Sequence, residues 1–342
     1  MRWLITGGAG FIGANAAARL AREGNEVVVY DNFSRLGSKQ NARWLSAQRG
    51  LRILPGDVRD WRALTHLFQV FGPFDVVLHL AAQVAVTTSV ADPRTDFETN
   101  ALGTFNVCEA VRQFAPGAVL LNASTNKVYG GMDDAAVVER GGRYVYADLP
   151  YGVSEDQPVD FHSPYGCSKG AGDQYVRDYA RIYGLRTVNF RQSCIYGYRQ
   201  FGVEDQGWVA WFTIAALLGR PITVYGDGKQ VRDVLFIDDL VDCYLAAVRQ
   251  IDAVAGQTFN IGGGTEHSLS LLELLAQLET VLHQPVPVRF GAWRPGDQRI
   301  FVCDIQKAAK QLGWAPRVDP TEGVLKLLDW VDRERGMLAE VV

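Results

Sequence analysis

The stretch Leu4-Ile5-Thr6-Gly7-Gly8-Ala9-Gly10-Phe11-Ile12-Gly13 decides the fold. An apolar run passes directly into a glycine cluster, and the cluster opens a segment, residues 11–22, with Ala and Leu at helical spacing. Strand, glycines and helix in this order form a dinucleotide-binding fingerprint; a glycine triplet alone would be weak evidence. Gly7 and Gly10 let the backbone approach a pyrophosphate, whose charge is stabilised by the helix N-terminus at Phe11 and Ile12. Gly13 lets helix and strand pack closely.

Working outward, short β-branched or apolar runs at residues 26–30, 51–54, 75–80 and 118–123 alternate with helical stretches. That alternation predicts βαβ units, and near-continuous apolar runs such as VVVY and VVLHL predict strands covered on both faces. Asp31 closes the second run, eighteen residues beyond Gly13, where a carboxylate accepts hydrogen bonds from the adenosine ribose and repels a 2′-phosphate. NAD is therefore the expected cofactor. Asn32, Ser34 and Arg35 follow within the same loop, and Arg35 is the residue that would meet a 2′-phosphate if one were bound. Asp57 and Val58 after the third run should wall the adenine, and Leu80, Ala81, Ala82 and Gln83 after the fourth the nicotinamide ribose.

Residues 130–158 turn to Gly, Asp, Tyr and Pro and read as a long functional or disordered loop. Beyond Gly197 the pattern becomes mixed: a helix from about Trp208 to Leu218, a strand at residues 222–225, the loop GDGKQVRD, and a capping box Ser270-x-x-Glu273 ahead of another helix. The expected fold is α/β, a Rossmann-type doubly wound parallel sheet over residues 1–190, with a smaller mixed α/β substrate domain over 191–342 and some chain crossing back.

A formal charge of −4 with no basic block excludes the footprint of a nucleic-acid partner. The five cysteines, odd in number and without a CxxC pair or His cluster, indicate neither a disulfide framework nor a metal site, and fit a reducing cytoplasm. The N-terminus lacks the features of a signal peptide. The most apolar run, residues 208–219, is shorter than the ~20 residues that span a bilayer, so no membrane partner is expected.

Ser163-Pro164-Tyr165-Gly166-Cys167-Ser168-Lys169 opens a helix, so Tyr165 and Lys169 share one face. A lysine ammonium one turn away, with a positive nicotinamide, favours phenolate, and Tyr165 can then take a hydroxyl proton as hydride leaves. Ser124 and Thr125, at the end of the fifth run, offer hydroxyls to the same substrate oxygen.

TGGAGFIG, HLAAQ, STNKVYG and SPYGCSK together resemble the extended short-chain dehydrogenase/reductase family that acts on nucleotide sugars. The resemblance implies that Thr125 is the catalytic hydroxyl, Tyr165 the base, Lys169 its electrostatic partner and Ser124 a support at the nicotinamide end, with Asn100 fixing the cofactor region. Dehydratases of this family carry an Asp-Glu pair directly after that Thr, an acid and a base for elimination. Here the pair is Asn126-Lys127, which points to an epimerase. The segments around SPYGCSKGAGDQ, DQGW and GDGKQVRD are similar to the branch that inverts carbon 2 of CDP-sugars; carbon 4 inversion of a UDP- or GDP-hexose is the alternative, ahead of 4,6-dehydration or non-catalytic NAD binding. By the same resemblance Arg232 and Arg294 hold the diphosphate, with Asp297 beside them, and Gln206, Trp208 and Tyr225 line the base or sugar. Many relatives have Asn at Cys194, and the carbon 2 branch has His near Gln192, so both positions bear on sugar identity. Relatives form homodimers or homotetramers, and the same is expected here.

Overall fold

The computed structural model describes residues 1–294 and 297–342. Seven parallel strands form the main sheet, in the order 257–261, 186–192, 119–125, 76–79, 2–6, 26–31 and 51–55. The strand order reverses about Arg2–Thr6, which pairs with Glu26–Asp31 on one side and Val76–His79 on the other. Open α/β sheets bind ligands at the carboxyl ends of such a switch point. The strands at the centre are buried along almost their whole length, as the apolar runs require. One edge strand, Gln257–Ile261, comes from late in the chain and pairs with Arg186–Gln192 in register, Phe259 opposite Phe190.

The smaller part is mixed. Val231–Phe236 runs parallel to Cys194–Tyr196 and Ile300–Phe301 and antiparallel to Ser268–Ser270, while Ile222–Tyr225 pairs with Val288–Gly291. The capping box forms as its sequence requires: Ser270 Oγ accepts from Glu273 N, and Glu273 Oε2 accepts from Ser270 N at 2.7 Å. The Trp208–Leu217 helix is packed into the core, and among the described residues no helix is long and apolar enough to cross a membrane.

The expectation of one long loop over residues 130–158, functional or disordered, is corrected in that part of it is regular structure. Val137–Arg140 and Arg143–Tyr146 form an antiparallel hairpin joined by Gly141-Gly142, with φ of +60° and +79°. Two left-handed residues give the turn whose twist matches the strands it joins. Tyr144 and Tyr146 anchor the hairpin, donating to Asp227 Oδ2 at 2.6 Å and to the Ile300 carbonyl at 3.2 Å.

The Gly142 position is open, so strain there comes from the backbone alone. Gly142→Val is expected to cost about 1–2 kcal/mol, read as a lowered Tm. Gly117→Ala, equally open and without a positive φ, should leave stability within roughly 0.5 kcal/mol.

Candidate active site

A cleft opens over the switch point and runs from the glycine turn to the Ser163–Tyr183 helix; Gly7, Asp31, Asp57, Ala81, Tyr165 and Lys169 mark its course. Gly7 has φ +67°, and a Cβ there would lie 2.6 Å from Ala81 N, so the turn presses against the end of Val76–His79. A Cβ on Gly13 would meet Gly7 O at 2.5 Å, which is the close helix-to-strand packing anticipated. The Phe11–Arg22 helix starts at Gly10 with no side-chain cap and no acidic residue in its first turn, leaving its N–H groups for an anion. Phe11 and Ile12 line the cleft beside it.

Asp31 is buried, and its carboxylate accepts from Ala9 N at 3.0 Å and Phe33 N at 2.7 Å. Burial raises its pKa, against the opposing pull of these amides. Asn32 donates to Asp57 Oδ2 at 2.9 Å, and Arg59 pairs with the same carboxylate at 2.8 Å. Burial alone would raise Asp57, but the bonds from Arg59 and Asn32 bring it down to about 2. Arg35 donates to Gln206 Oε1 at 2.6 Å, which joins the cofactor side of the cleft to the substrate side. Ser34, Val58, Leu80 and Ala82 also line the cleft. A glycine cradle, free helix amides and a buried carboxylate at the end of the second strand fit a dinucleotide.

Gln83 and Asn100 lie behind this wall. Gln83 N donates to Asn100 Oδ1 at 2.9 Å, and Asn100 Nδ2 donates to the carbonyl of Gln83, to Asp96 and to Ser168 Oγ. Ser168 in turn donates to Asp96 Oδ2 at 2.5 Å. The pair thus ties the loop after Val76–His79 to the catalytic helix, and Thr99 lines the cleft instead.

That helix, Ser163–Tyr183, buries Tyr165, Lys169, Asp173 and Val176 along one face. Lys169 Nζ donates to the Ala123 carbonyl at 2.5 Å, under the strand that delivers Ser124 and Thr125. Thr125 Oγ1 caps the following turn by accepting from Lys127 N at 3.2 Å. Burial raises Tyr165 to about 12, opposed by its hydrogen bond with Thr125 and reinforced by Asp96. Burial also lowers Lys169 to about 8, against Asp173 and Asp96. Burial is thus the dominant influence on the Tyr165 phenol, with the Thr125 bond opposing it, while the Lys169 ammonium is engaged by the Ala123 carbonyl.

Sequence reasoning missed Asp173. It is fully buried and accepts from Ser124 Oγ at 2.8 Å, from Asn189 Nδ2 at 2.5 Å and from Arg191 at 3.0 and 3.1 Å. Its spacing, four residues beyond Lys169 on the same helical face, was the available signal. Arg199, Gln200 and Phe201, also overlooked, line the cleft.

The substrate-side residues divide into two groups. Asn126, Lys127, Cys194, Arg232 and Asp297 gather beyond the Val119–Thr125 strand: Lys127 Nζ donates to Gln298 Oε1 at 3.0 Å, and Arg232 Nη2 donates to the Gln298 carbonyl at 2.8 Å. Burial and Arg232 lower Lys127 to about 8, opposed by Cys194 and Asp297. Arg294 stands with Tyr225 instead, 3.7 Å above its ring, and pairs with Asp205 at 3.0 Å. Gln192 lines the cleft and donates to Tyr244 at 2.5 Å, and Trp208 packs edge-on against Phe212.

The family profile described as "NAD dependent epimerase/dehydratase family" matches residues 3–262, and the chain belongs to that family. Over 96% of its length the chain is 45% identical to a CDP-paratose 2-epimerase of Salmonella typhi, covering 99% of that protein. It is 35% identical to a UDP-glucose 4-epimerase of Mycolicibacterium smegmatis, with 96% and 98% of the two chains covered. The UDP-glucose 4-epimerase of Thermus thermophilus, solved in complex with NAD, superposes with a TM-score of 0.82 at 33% identity, over 97% of this chain and 99% of that one.

The depressed Asp57 supplies a pH test. Its folded pKa lies below its ordinary value, so its contribution to stability is present above about 4 and is lost as pH falls toward about 2. Asp57→Asn should cost about 1 kcal/mol at pH 7, allowing for solvent screening. Denaturant titrations should show that cost shrinking below pH 4.

Proposed function

We propose that the protein inverts carbon 2 of a CDP-sugar of the paratose/tyvelose type, by oxidation to a ketone and re-reduction on the opposite face. The observation that supports this most is the junction of strand and helix: Ser124 and Thr125 at one strand end, with Tyr165 and Lys169 on the facing helical turn. The full-length likeness to the Salmonella typhi enzyme supports the choice of sugar and carbon.

Thr125 and Tyr165 bind the hydroxyl being oxidised and fix its oxygen. Tyr165 takes the proton of that hydroxyl at its phenolic oxygen and returns it when the ketone is reduced. Lys169, held by the Ala123 carbonyl, keeps a positive charge below the strand end and orients the helix face. NAD, which the glycine turn and Asp31 would hold, would supply the hydride acceptor and donor, and its positive charge would favour loss of the Tyr165 proton to solvent before the sugar binds, against the burial that raises this phenol. Asn126 and Lys127 provide no acid-base pair of carboxyls for elimination across carbons 5 and 6, so the ketone is not diverted to dehydration. The exposed Tyr175, Ile182 and Tyr183 on the outer side of the catalytic helix support a homo-oligomer.

The purified protein should carry NAD and convert CDP-paratose to CDP-tyvelose without added cofactor, followed by NMR. A need for stoichiometric external NAD, or conversion only of UDP-hexoses, overturns the proposal. Tyr165→Phe should lower turnover by about 10²- to 10⁴-fold while NAD content is retained.

A further inference from the structure

The turn formed by residues 203–206 comes from the later part of the chain and reaches back to the cofactor loops. It is closed on itself, Val203 N donating to the Gln206 carbonyl at 3.0 Å and Gln206 N to the Val203 carbonyl at 2.9 Å. The chain entering it is packed tightly, since a Cβ on Gly202 would lie 2.6 Å from Trp211 N. On one side its tip is held by Glu204, which accepts from the Tyr225 hydroxyl at 2.7 Å, and by Asp205, which pairs with Arg294 at 3.0 Å. Two further contacts lead to the cofactor loops. Arg35 Nη2 donates to Gln206 Oε1 at 2.6 Å, and Thr87 Oγ1 donates to Asp205 Oδ2 at 3.4 Å.

The order of strands decides what stands between those two contacts. Arg35 lies in the loop after Glu26–Asp31, and Thr87 in the helix Val86–Ala91 beyond Val76–His79. Arg2–Thr6 runs between these two strands and ends in the glycine turn. The 203–206 turn therefore spans from one flank of the glycine turn to the other, and Arg35 and Gln206 line the same cleft as Gly10 and Asp31. The Arg35 guanidinium is largely withdrawn from water, so its charge-assisted bond to Gln206 is stronger than one between neutral, solvated groups. That bond is made by protein groups alone, and it obstructs entry to the cleft as much as exit from it.

We infer that the 203–206 turn is a clasp on the dinucleotide, latched by Arg35 and Gln206, that must open before the cofactor enters or leaves. Its use rests on the epimerase reading above: hydride taken from the sugar has to come back from the same cofactor molecule, so the reduced form must stay in place while the ketone turns.

The test compares wild type, Gln206→Leu and Asp205→Ala as NAD-loaded proteins. The exit rate is read by exchange of bound NAD against isotopically labelled NAD, and Kd by equilibrium dialysis at stepped concentrations of free NAD. Loss of the latch in Gln206→Leu should speed exchange by about tenfold or more while Kd stays within about threefold, because a gate that opens more easily speeds entry and exit together. Asp205→Ala, which frees the other end of the turn, should shift exchange in the same direction, and it decides the matter if Gln206→Leu fails to fold. Exchange as slow as in wild type overturns the clasp. Faster exchange with Kd raised in proportion reveals an ordinary cofactor contact and overturns it equally. No sugar enters these measurements, so a failed clasp is distinguishable from a failed epimerase reading. During turnover of CDP-paratose, Gln206→Leu should lose activity progressively and regain it when NAD is added, whereas wild type holds its rate; fast exchange without that loss overturns the use assigned to the clasp.

Discussion

The site hangs on one buried carboxylate. Asp173 reaches from the catalytic helix to the end of two adjacent strands, binding Ser124 on one and Asn189 and Arg191 on the other. Those strands are in register there, Ser124 opposite Arg191 and Thr125 opposite Gln192. An ion pair with both partners almost wholly out of water is strongly destabilising when either partner is removed, so the helix cannot slide or rotate without losing it. Lys169 and Tyr165, one and two turns upstream on the same face, inherit that position.

From this anchor the polar network continues away from the cleft. Arg191 donates to Tyr129 at 3.0 Å, Tyr129 donates to Asn260 at 2.7 Å, and Asn260 donates to the Val153 carbonyl at 2.8 Å. Asn260 belongs to the edge strand supplied by the later part of the chain, and Tyr129 to the turn that carries Asn126 and Lys127. The sheet, the catalytic turn and the late strand are thereby fixed to one another by satisfied hydrogen bonds, which is what a buried polar network needs in order to rigidify a site. Ser124, bonded to Asp173, and Thr125 and Tyr165, bonded to each other, are thereby held at one junction of strand and helix.

Much of this was legible in the sequence, for identifiable reasons. The Phe11–Arg22 helix, the buried strands and the capping box follow from local pattern, and local pattern is present in the chain. The hairpin at 137–146 is equally local, with Val-Val-Glu-Arg and Arg-Tyr-Val-Tyr flanking Gly-Gly, but the Gly, Asp, Tyr and Pro content of residues 130–158 masks that short pattern. Other features depend on tertiary placement. Asp173 and Arg191 are eighteen residues apart, and nothing in either neighbourhood announces their pairing. The raised pKa of Tyr165 depends on burial and on Asp96, and the bond of Lys169 to the Ala123 carbonyl on tertiary placement, while helical spacing reports only that Tyr165 and Lys169 share a face. The division of Arg232 from Arg294 likewise emerges only once Gln298 and Asp205 are placed beside them.

The central claim is that two electrons leave a sugar carbon and return to that same carbon within one closed site. It is tested most directly with substrate deuterated at carbon 2, mixed with unlabelled substrate and incubated to equilibrium in ordinary water. The account expects the label to stay at carbon 2 of the product, with neither washout to solvent nor exchange between molecules. Loss of deuterium to water would contradict it, since the carbon would then be inverted through proton removal and not through hydride return.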